Sequence, residues 1–305
     1  MEMLYLNQLK NYNEAGSMQK QNRALSARFN EKASSGSVEH EERLKDIKDK
    51  AEKARSKRLI VFDLDGTLAE SKATIDTQMS GLLNDLLKQK MVAVIGGGAY
   101  SQFEKQFLAN LHIDKDCLKN LFLFPTSGAS FYRCQDGTWI KKYEHKLTSE
   151  QQKEIIAALD QACENIDYKQ PEKIWGDVIE NRGTQITFSA LGQDAPVAEK
   201  KEWNKKNDNR RKDLIAQLKK IIPEFEIRSG GLTSIDITKK GIDKAFGIDQ
   251  IVKTLHVSKD EMIFIGDALY EGGNDYPVKT TGVQTVKVSG PEDTKLFIKT
   301  LLNKA

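Results

Sequence analysis

The sequence predicts an α/β fold: a doubly wound, Rossmann-like parallel-sheet core with an inserted α+β cap domain. Short apolar runs recur in both halves of the chain and alternate with helical patterns, as expected for parallel strands buried on both faces. Acidic residues or glycines follow several of these runs, at the strand ends where open α/β sheets bind ligands. Between residues 141 and 239 the helices and strands no longer alternate, which indicates a separate α+β domain.

The first apolar run, Leu59–Phe62, predicts a buried strand that ends in Asp63 and Asp65. Two carboxylates at the end of a buried strand are costly unless they are paired. Together they can hold a hard cation such as Mg²⁺, or one can attack phosphorus while the other transfers a proton. The competing interpretation is that Asp65 or Thr67 merely caps the following helix. The apolar strand before Asp63 and the Gly-Thr-Leu sequence after Asp65 disfavour that interpretation.

The motif Asp63-Leu64-Asp65-Gly66-Thr67-Leu68 resembles the first motif of the haloacid dehalogenase superfamily of phosphotransfer enzymes. The resemblance implies Asp63 as the nucleophile, which forms an aspartyl-phosphate, and Asp65 as the general acid/base. It also implies Mg²⁺ held by Asp63, by the backbone carbonyl of Asp65 and by a later acidic loop.

The second strand is predicted at Met91–Ile95, after a helical pattern between Asp76 and Lys90. It ends in Gly96-Gly97-Gly98, where bare backbone N–H groups can face a phosphate. Gly97 and Gly98 are therefore candidate substrate contacts. The superfamily usually places Ser or Thr here, so a hydroxyl contact is missing from this chain.

The hairpin signal Asp136-Gly137 lies just before the predicted cap. The cap elements are a helix at 149–165, strands within 177–190, a charged helix at 199–221, and strands at 225–228 and 233–238. This order predicts a cap at 141–239, inserted into a catalytic core formed by 58–140 and 240–305.

The resemblance narrows to eukaryotic-type phosphomannomutases in three stretches: 179–182 with 189–193 and 229–236 in the cap, and 272–275 later in the chain. In that family, cap arginines hold the phosphate remote from the nucleophile. The resemblance implies substrate contacts at Arg182, Lys200, Ser234 and Asp236. Gln193 and Lys200 stand where the family has arginines, which weakens the clamp because Arg binds phosphate through two donors and Lys is a point charge.

The last part of the chain supplies the remaining candidates. Lys244 opens a helix and matches the superfamily lysine that neutralises nucleophile and phosphate, although a solvated helix lysine is the alternative. The apolar run Met262–Ile265 ends in Gly266-Asp267, and Asp275 follows in the ensuing loop. These two carboxylates suit the acidic half of a Mg²⁺ site. The predicted metal set is Asp63, Asp65, Asp267 and Asp275, and the predicted catalytic set is Asp63, Asp65 and Lys244.

These features predict Mg²⁺-dependent phosphotransfer through an aspartyl-phosphate. We favour a phosphatase acting on sugar phosphates, because Gln193 and Lys200 weaken the clamp that a mutase needs for its bisphosphate. The alternative is a phosphomannomutase-type hexose phosphate mutase. A second alternative is a catalytically weak regulatory or binding protein of the same fold, since the hydroxyl after the second strand is absent.

Composition sets the broad class. The chain has 305 residues, a formal net charge of +3 and three scattered cysteines, which favour a cytoplasmic protein and give no argument for nucleic acid. No apolar run is long enough to span a membrane, so no membrane association is expected. For residues 1–57 the sequence predicts a charged helical arm, which is either flexible or in contact with a partner or a second copy. The contact would use apolar residues of the arm: Leu4, Leu6, Leu9, Leu25 and Phe29.

Overall fold

The structure, a computed structural model, describes residues 40–71 and 73–304. The chain divides into two compact units, Met1–Asp49 and Lys50–Ala305. The described part of the first unit, residues 40–49, is helical. The apolar residues of the predicted arm from Leu4 to Phe29 lie outside the described residues. Residues 50–57 belong to the second unit, where Lys90 Nζ donates to the carbonyl oxygens of Arg55 and Lys57.

The described strands and helices follow the predicted order. The strands are β1 (Leu59–Asp63), β2 (Met91–Ile95), β3 (Leu121–Phe124), β4 (Ser130–Gln135), β5 (Thr138–Glu144), β6 (Ile179–Asn181), β7 (Gln185–Ser189), β8 (Phe225–Ser229), β9 (Ser234–Lys239), β10 (Met262–Gly266) and β11 (Gln284–Lys287). The α-helices with both ends described are α1 (Thr77–Leu87), α2 (Tyr100–Gln106), α3 (Ser149–Asn165), α4 (Val197–Ile221), α5 (Lys244–Leu255) and α6 (Pro291–Leu301).

The core is a seven-stranded sheet in the order β11-β10-β1-β2-β3-β4-β5. The strands from β11 to β3 are parallel, and β4 and β5 add an antiparallel edge. All residues of β1 are buried, with Leu59 and Val61 packed on the same side as Ile248 and Ile251 of α5. The alternate residues Ile60 and Phe62 are buried on the opposite face. The α/β core with helices flanking the sheet is therefore confirmed.

The antiparallel edge contains the predicted hairpin. Asp136 and Gly137 both have positive φ, at 51° and 81°, as a two-residue type I′ turn requires. The turn joins β4 and β5, which pair from Ser130 with Glu144 to Gln135 with Thr138. Because β5 continues to Glu144, the chain leaves the core sheet a few residues after the predicted boundary at 140.

The inserted segment forms a second sheet of four strands in the order β6-β7-β9-β8. Apolar and polar residues alternate along its strands, and the apolar side chains pack on α3 and α4. The cluster contains Ile155, Leu159, Ile186, Phe188, Leu214, Leu218, Phe225, Ile227, Ile235 and Ile237. We refer to this layer of sheet and helices as the cap.

Among the described helices, none has both the length and the apolar character needed to cross a lipid bilayer.

The start of β1 is tied to the start of β10 by one ion pair. The backbone N–H of Arg58 donates to the carbonyl oxygen of Glu261 (2.8 Å), and Arg58 Nη1 donates to Glu261 Oε1 (2.7 Å). The second oxygen of Glu261 accepts from the N–H and hydroxyl of Ser258. The hydrogen bond from Arg58, together with those from Ser258, lowers the pKa of Glu261 to about 2.

We expect Glu261→Gln to destabilise the fold at neutral pH and to lose this effect in acid. A depressed folded-state pKa means that the carboxylate contributes stability above its ordinary value of 4.5, and that this contribution is lost as the pH falls towards about 2. Thermal unfolding of both proteins from pH 7 to pH 3 measures the difference. Glu172→Gln, at an exposed position in the cap, is the control. A difference in unfolding temperature between Glu261→Gln and the parent protein that stays constant over this pH range would contradict the lowered pKa of Glu261.

Candidate active site

The site begins at the carboxyl end of β1. Asp63 is the last residue of this strand, pairs in register with Ile95 of β2, and is only 2% exposed. β1 lies between β10 and β2, so residues that follow either neighbour can reach its end. This is the position at which the sequence predicts a nucleophile.

Lys244 meets Asp63 from the start of α5. Asp243 caps this helix by accepting from the backbone N–H of Phe246 (3.0 Å), which makes Lys244 its first residue. Lys244 Nζ donates to Asp63 Oδ1 (2.5 Å) and to Asp275 Oδ1. Lys244 is 1% exposed, so it is a buried, doubly paired cation rather than a solvated helix lysine.

The acidic loop after β10 completes the cluster. Asp275 is fully buried, and its Oδ2 accepts from the backbone N–H of Ala268 (3.0 Å). Asp267 lies against Gly66, where a Cβ would sit 2.5 Å from Asp267 Oδ2 and where φ is +81°. Only glycine therefore lets the turn after Asp63 approach Asp267 so closely.

The cluster carries an excess of negative charge. Carboxylate oxygens of Asp63, Asp267 and Asp275 lie within 4.8 Å of one another, and Lys244 is the cation paired with two of them. Burial raises the pKa of Asp63, and the neighbouring carboxylates raise it further against the opposing effect of Lys244. Burial likewise raises the pKa of Asp267 to about 6, with Asp275 adding to the shift.

Three ionised carboxylates against one ammonium leave two negative charges, which a divalent cation would neutralise. The donors are all oxygens, as Mg²⁺ prefers, so the residues present fit this ion. The Asp65 side chain is not part of this group of carboxylates. The expected contribution of Asp65 through its backbone carbonyl stays a prediction.

Two glutamines of α2 hold the side chain of Asp65. Gln102 Nε2 donates to Asp65 Oδ2 (2.9 Å), and Gln106 Nε2 donates to Asp65 Oδ1 (3.1 Å). Gln102 also donates to Gln106 Oε1 (2.6 Å). A Cβ at Gly98 would clash with Gln102, so the glycine after β2 makes room for this amide. The sequence analysis missed both glutamines.

The cap faces the core with the polar side of its sheet. The alternation that buries Ile235 and Ile237 places Ser234, Asp236 and Thr238 on the other face of β9. Asp236 Oδ1 accepts from the hydroxyl of Thr187 on β7 (2.8 Å).

A cleft separates this polar face from the core. We refer to it as the cap–core cleft, and it is lined by Gly97, Ser127, Gln185, Arg228, Ser229, Asp236, Thr238, Ile242, Asp243, Lys244 and Asn274. It therefore brings together the predicted residues Gly97, Asp236 and Lys244. Arg228 was not predicted, because nothing in its local sequence shows that β8 presents it to the cleft.

The other predicted substrate residues occupy different surroundings. Arg182 Nη1 donates to the carbonyl oxygen of Gly97 (2.8 Å), while its Nε and Nη2 donate to Glu180. Lys200 is 6% exposed, and its Nζ donates to the carbonyl oxygen of Gln193 (3.1 Å). Ser234 bonds weakly to Ser189 (3.5 Å). None of Arg182, Lys200 and Ser234 lines the cap–core cleft, so their roles as substrate contacts stay predictions.

We expect Lys244→Met to destabilise the metal-free protein by about 3–5 kcal/mol, the usual cost of removing one partner from a buried ion pair. The change leaves Asp63 and Asp275 buried without their cation. Mg²⁺ should restore part of the loss, because it can neutralise the same carboxylates. Urea unfolding in a chelator and in Mg²⁺ measures both effects.

Lys295→Met is the matched control for this experiment. Lys295 has a side chain that is 6% exposed, but its partners Asp76 and Glu292 are exposed and can be hydrated. Its loss should therefore cost less than the loss of Lys244 and should not respond to Mg²⁺. Equal Mg²⁺ responses in the two variants would show that the ion does not bind at the Asp63 cluster.

Comparison with known sequences shows a family relationship. A model of the eukaryotic phosphomannomutase family matches residues 79–304. A phosphomannomutase of Encephalitozoon cuniculi is 30% identical over 253 residues, which cover 81% of this chain and 94% of that protein. A phosphomannomutase of Saccharomyces cerevisiae is 26% identical over 264 residues, covering 83% of this chain and 97% of that protein.

Comparison with solved structures shows the fold. An IMP-nucleotidase of Plasmodium falciparum superposes with a TM-score of 0.61 at 18% identity, covering 81% of this chain and 68% of that one. A trehalose-6-phosphate phosphatase of Aspergillus fumigatus superposes with a TM-score of 0.51 at 16% identity, covering 84% and 98% of the two chains. The family match from 79 to 304 covers the cap and the core strands that follow β1.

Proposed function

The chain belongs to the eukaryotic phosphomannomutase family, and from this premise we propose that it is a hexose phosphate mutase that works through an aspartyl-phosphate. The observation that carries the proposal is the convergence of Asp63, Lys244, Asp267 and Asp275 below the polar face of the cap. The family relatives favour the mutase over the phosphatase that the sequence analysis preferred.

The first step is attack by an Asp63 carboxylate oxygen on one phosphorus of a hexose bisphosphate, which leaves a hexose monophosphate. The P–O bond to the sugar breaks, and the sugar oxygen takes a proton from Asp65. Lys244 lies against Asp63 and stabilises the charge on the phosphoryl oxygens. The phosphoryl group then passes to the free hydroxyl of a hexose monophosphate that binds in the opposite orientation. The proton of that hydroxyl goes back to Asp65, and the bisphosphate is formed again.

Asp63, Asp267 and Asp275, with the backbone carbonyl of Asp65, would hold Mg²⁺. Bound there, the ion would neutralise phosphoryl charge and align the phosphate with Asp63.

The cap excludes water from the reacting groups, which is the second part of the proposal. The Thr184 hydroxyl of the cap donates to the Thr126 hydroxyl of the core (2.7 Å), and both residues are buried. Arg182 and Gln185 of the cap both donate to the carbonyl oxygen of Gly97. A cap held against the core in this way limits water near Asp63, which favours return of the phosphoryl group to a sugar hydroxyl over hydrolysis.

A phosphatase of sugar phosphates is the second candidate, and Gln193 is the observation that favours it. This residue stands where the resembling family has a phosphate-binding arginine. A weaker hold on the bisphosphate would let the sugar leave and water enter before the return transfer.

Phosphorus NMR of a reaction with mannose 1-phosphate, Mg²⁺ and a catalytic amount of hexose bisphosphate separates the two candidates. We expect mannose 6-phosphate to appear faster than inorganic phosphate, and faster still as bisphosphate is raised. Inorganic phosphate as the main product would replace the mutase with the phosphatase. No change in the substrate signal would contradict both candidates.

Asp63→Asn should reduce turnover of either kind by about a thousandfold or more while leaving a folded protein, because the amide keeps the shape of the carboxylate but is a poor nucleophile. The same NMR assay measures the rate, and circular dichroism checks the fold. Asp136→Asn, at the exposed hairpin turn, should keep full activity because Asn tolerates positive φ. A rate in Asp63→Asn close to that of the parent would exclude a covalent route through Asp63.

A further inference from the structure

We propose that Gln102 and Gln106 of α2 are positioning residues that hold the carboxyl group of Asp65 for proton transfer to and from the sugar oxygen. The inference rests on the proposed function, in which Asp65 moves that proton, and it adds the two residues that fix where the proton is held. They lie 37 and 41 residues from Asp65 in the chain, outside the motif that contains Asp63 and Asp65.

The two glutamines act on Asp65 from one face of α2. They are four residues apart in a helix that spans Tyr100–Gln106, so their side chains lie next to each other. Gln102 Nε2 binds one oxygen of the Asp65 carboxyl group and Gln106 Nε2 binds the other. Two donors on two oxygens fix both the direction and the plane of the group, whereas a single hydrogen bond would let it turn.

The hydrogen bonds of the two amides also fix the amides themselves. Each Nε2 carries two N–H donors, and one donor of each is used by Asp65. The second donor of Gln102 is directed at Gln106 Oε1 (2.6 Å), and the second donor of Gln106 is directed at the carbonyl oxygen of Ala73 (3.3 Å). Either amide turned the other way would face the carboxylate with its own oxygen. Because every donor has an acceptor, the network has one favourable arrangement.

Gln106 ties this network to the chain segment that follows the Asp63 motif. Its side chain is buried, and its backbone carbonyl oxygen accepts from the backbone N–H of Ile75 (2.9 Å). Asn110, just after α2, donates to the carbonyl oxygen of Ile75 (3.3 Å). The donors that hold Asp65 therefore lie on an element that is itself bound to the backbone on both sides of Ile75.

The network keeps the Asp65 side chain out of the acidic cluster. The side chain is not one of the carboxylates whose oxygens lie within 4.8 Å of one another, namely Asp63, Asp267 and Asp275. A carboxylate that coordinates a metal ion must be deprotonated, so a proton donor has to be held away from the ion. Gly98 contributes to this separation, because a Cβ there would overlap the Gln102 amide and displace it.

The arrangement is compatible with proton transfer in both directions. A carboxyl oxygen has more than one lone pair, so an N–H bond to each oxygen leaves capacity for the transferred proton. As the P–O bond to the sugar breaks, the O–H bond of Asp65 breaks and an O–H bond forms on the sugar oxygen. The reverse occurs when a sugar hydroxyl attacks the phosphoryl group. A carboxyl group of fixed orientation serves both steps without a search for the right geometry.

The leaving group of the phosphoryl donor tests the proposal. The full chain in Mg²⁺ is mixed with glucose 1,6-bisphosphate, whose sugar oxygen needs a proton to leave, or with 4-nitrophenyl phosphate, whose phenolate leaves without one. Rapid-quench measurement gives the rate at which the protein is phosphorylated. We expect Gln102→Met and Gln106→Met to slow the reaction with the bisphosphate about tenfold or more. The rate with 4-nitrophenyl phosphate should stay within about twofold of the parent.

Gln217→Met is the matched control. The Gln217 amide lies on α4 in the cap and accepts from Asn165 (3.3 Å), so its loss should change neither rate. Asp65→Ala is the reference for loss of the proton donor, and should slow the reaction with the bisphosphate about a hundredfold or more. Adding either glutamine variant to Asp65→Ala should cause no further loss, because the group that the glutamines hold is gone.

Three results would overturn the proposal: equal losses with both donors, unchanged rates with both donors, or a further loss in the Asp65→Ala background. Thermal unfolding of each variant separates a loss of rate from a loss of fold, and the more accessible Gln102 provides the test if the buried Gln106→Met variant does not fold. A parent that is phosphorylated but does not isomerise hexose phosphates contradicts the mutase alone. A parent that neither donor phosphorylates contradicts the aspartyl-phosphate and this proposal with it.

Discussion

The buried ion pairs of Lys244 with Asp63 and Asp275 are the interaction on which the rest of the structure depends. Removing three charged groups from water is costly, and the cost is offset only when every group is paired with good geometry. The partners of Lys244 lie 181 and 31 residues away along the chain. The pairs can therefore form only if the end of β1, the start of α5 and the loop after β10 meet at one edge of the sheet. The strand order β10-β1-β2 and the cap on Asp243 provide that meeting point.

The alternation of apolar and polar residues in the cap strands builds both the core of the cap and its polar face. Alternation along β7, β8 and β9 places apolar side chains on α3 and α4, and the same alternation leaves polar side chains towards the core. The cap then contacts the core close to the chemistry, because Gly97 follows β2 and accepts from two cap side chains. β9 ends at Lys239, shortly before Lys244, so the chain returns from the cap directly into the reacting cluster.

Local patterns explain what could be predicted from the sequence. The apolar run before Asp63, the Asp-Gly hairpin turn and the non-alternating order of the cap elements each depend on residues close together in the chain. The glutamines that hold Asp65 and the exposure of Arg228 depend on packing between distant segments, which periodicity does not encode. Lys200 shows the limit: family resemblance implies a substrate contact there, whereas in the structure it is buried and its ammonium donates to the carbonyl oxygen of Gln193. The end of the first core segment was predicted at 140 for a related reason: most residues of β5, which continues to Glu144, are polar.

The same limit bears on the choice between mutase and phosphatase. The sequence preference for hydrolysis rested on Gln193 and Lys200, on the assumption that both positions face the substrate. In the structure neither lines the cap–core cleft, and Lys200 uses its charge on a backbone carbonyl. Among the described residues, the cations on the cleft wall are Lys244 of the core and Arg228 of the cap. Gln193 is therefore the difference from the family that still favours hydrolysis, while the family relationship, which covers residues 79–304, favours the mutase.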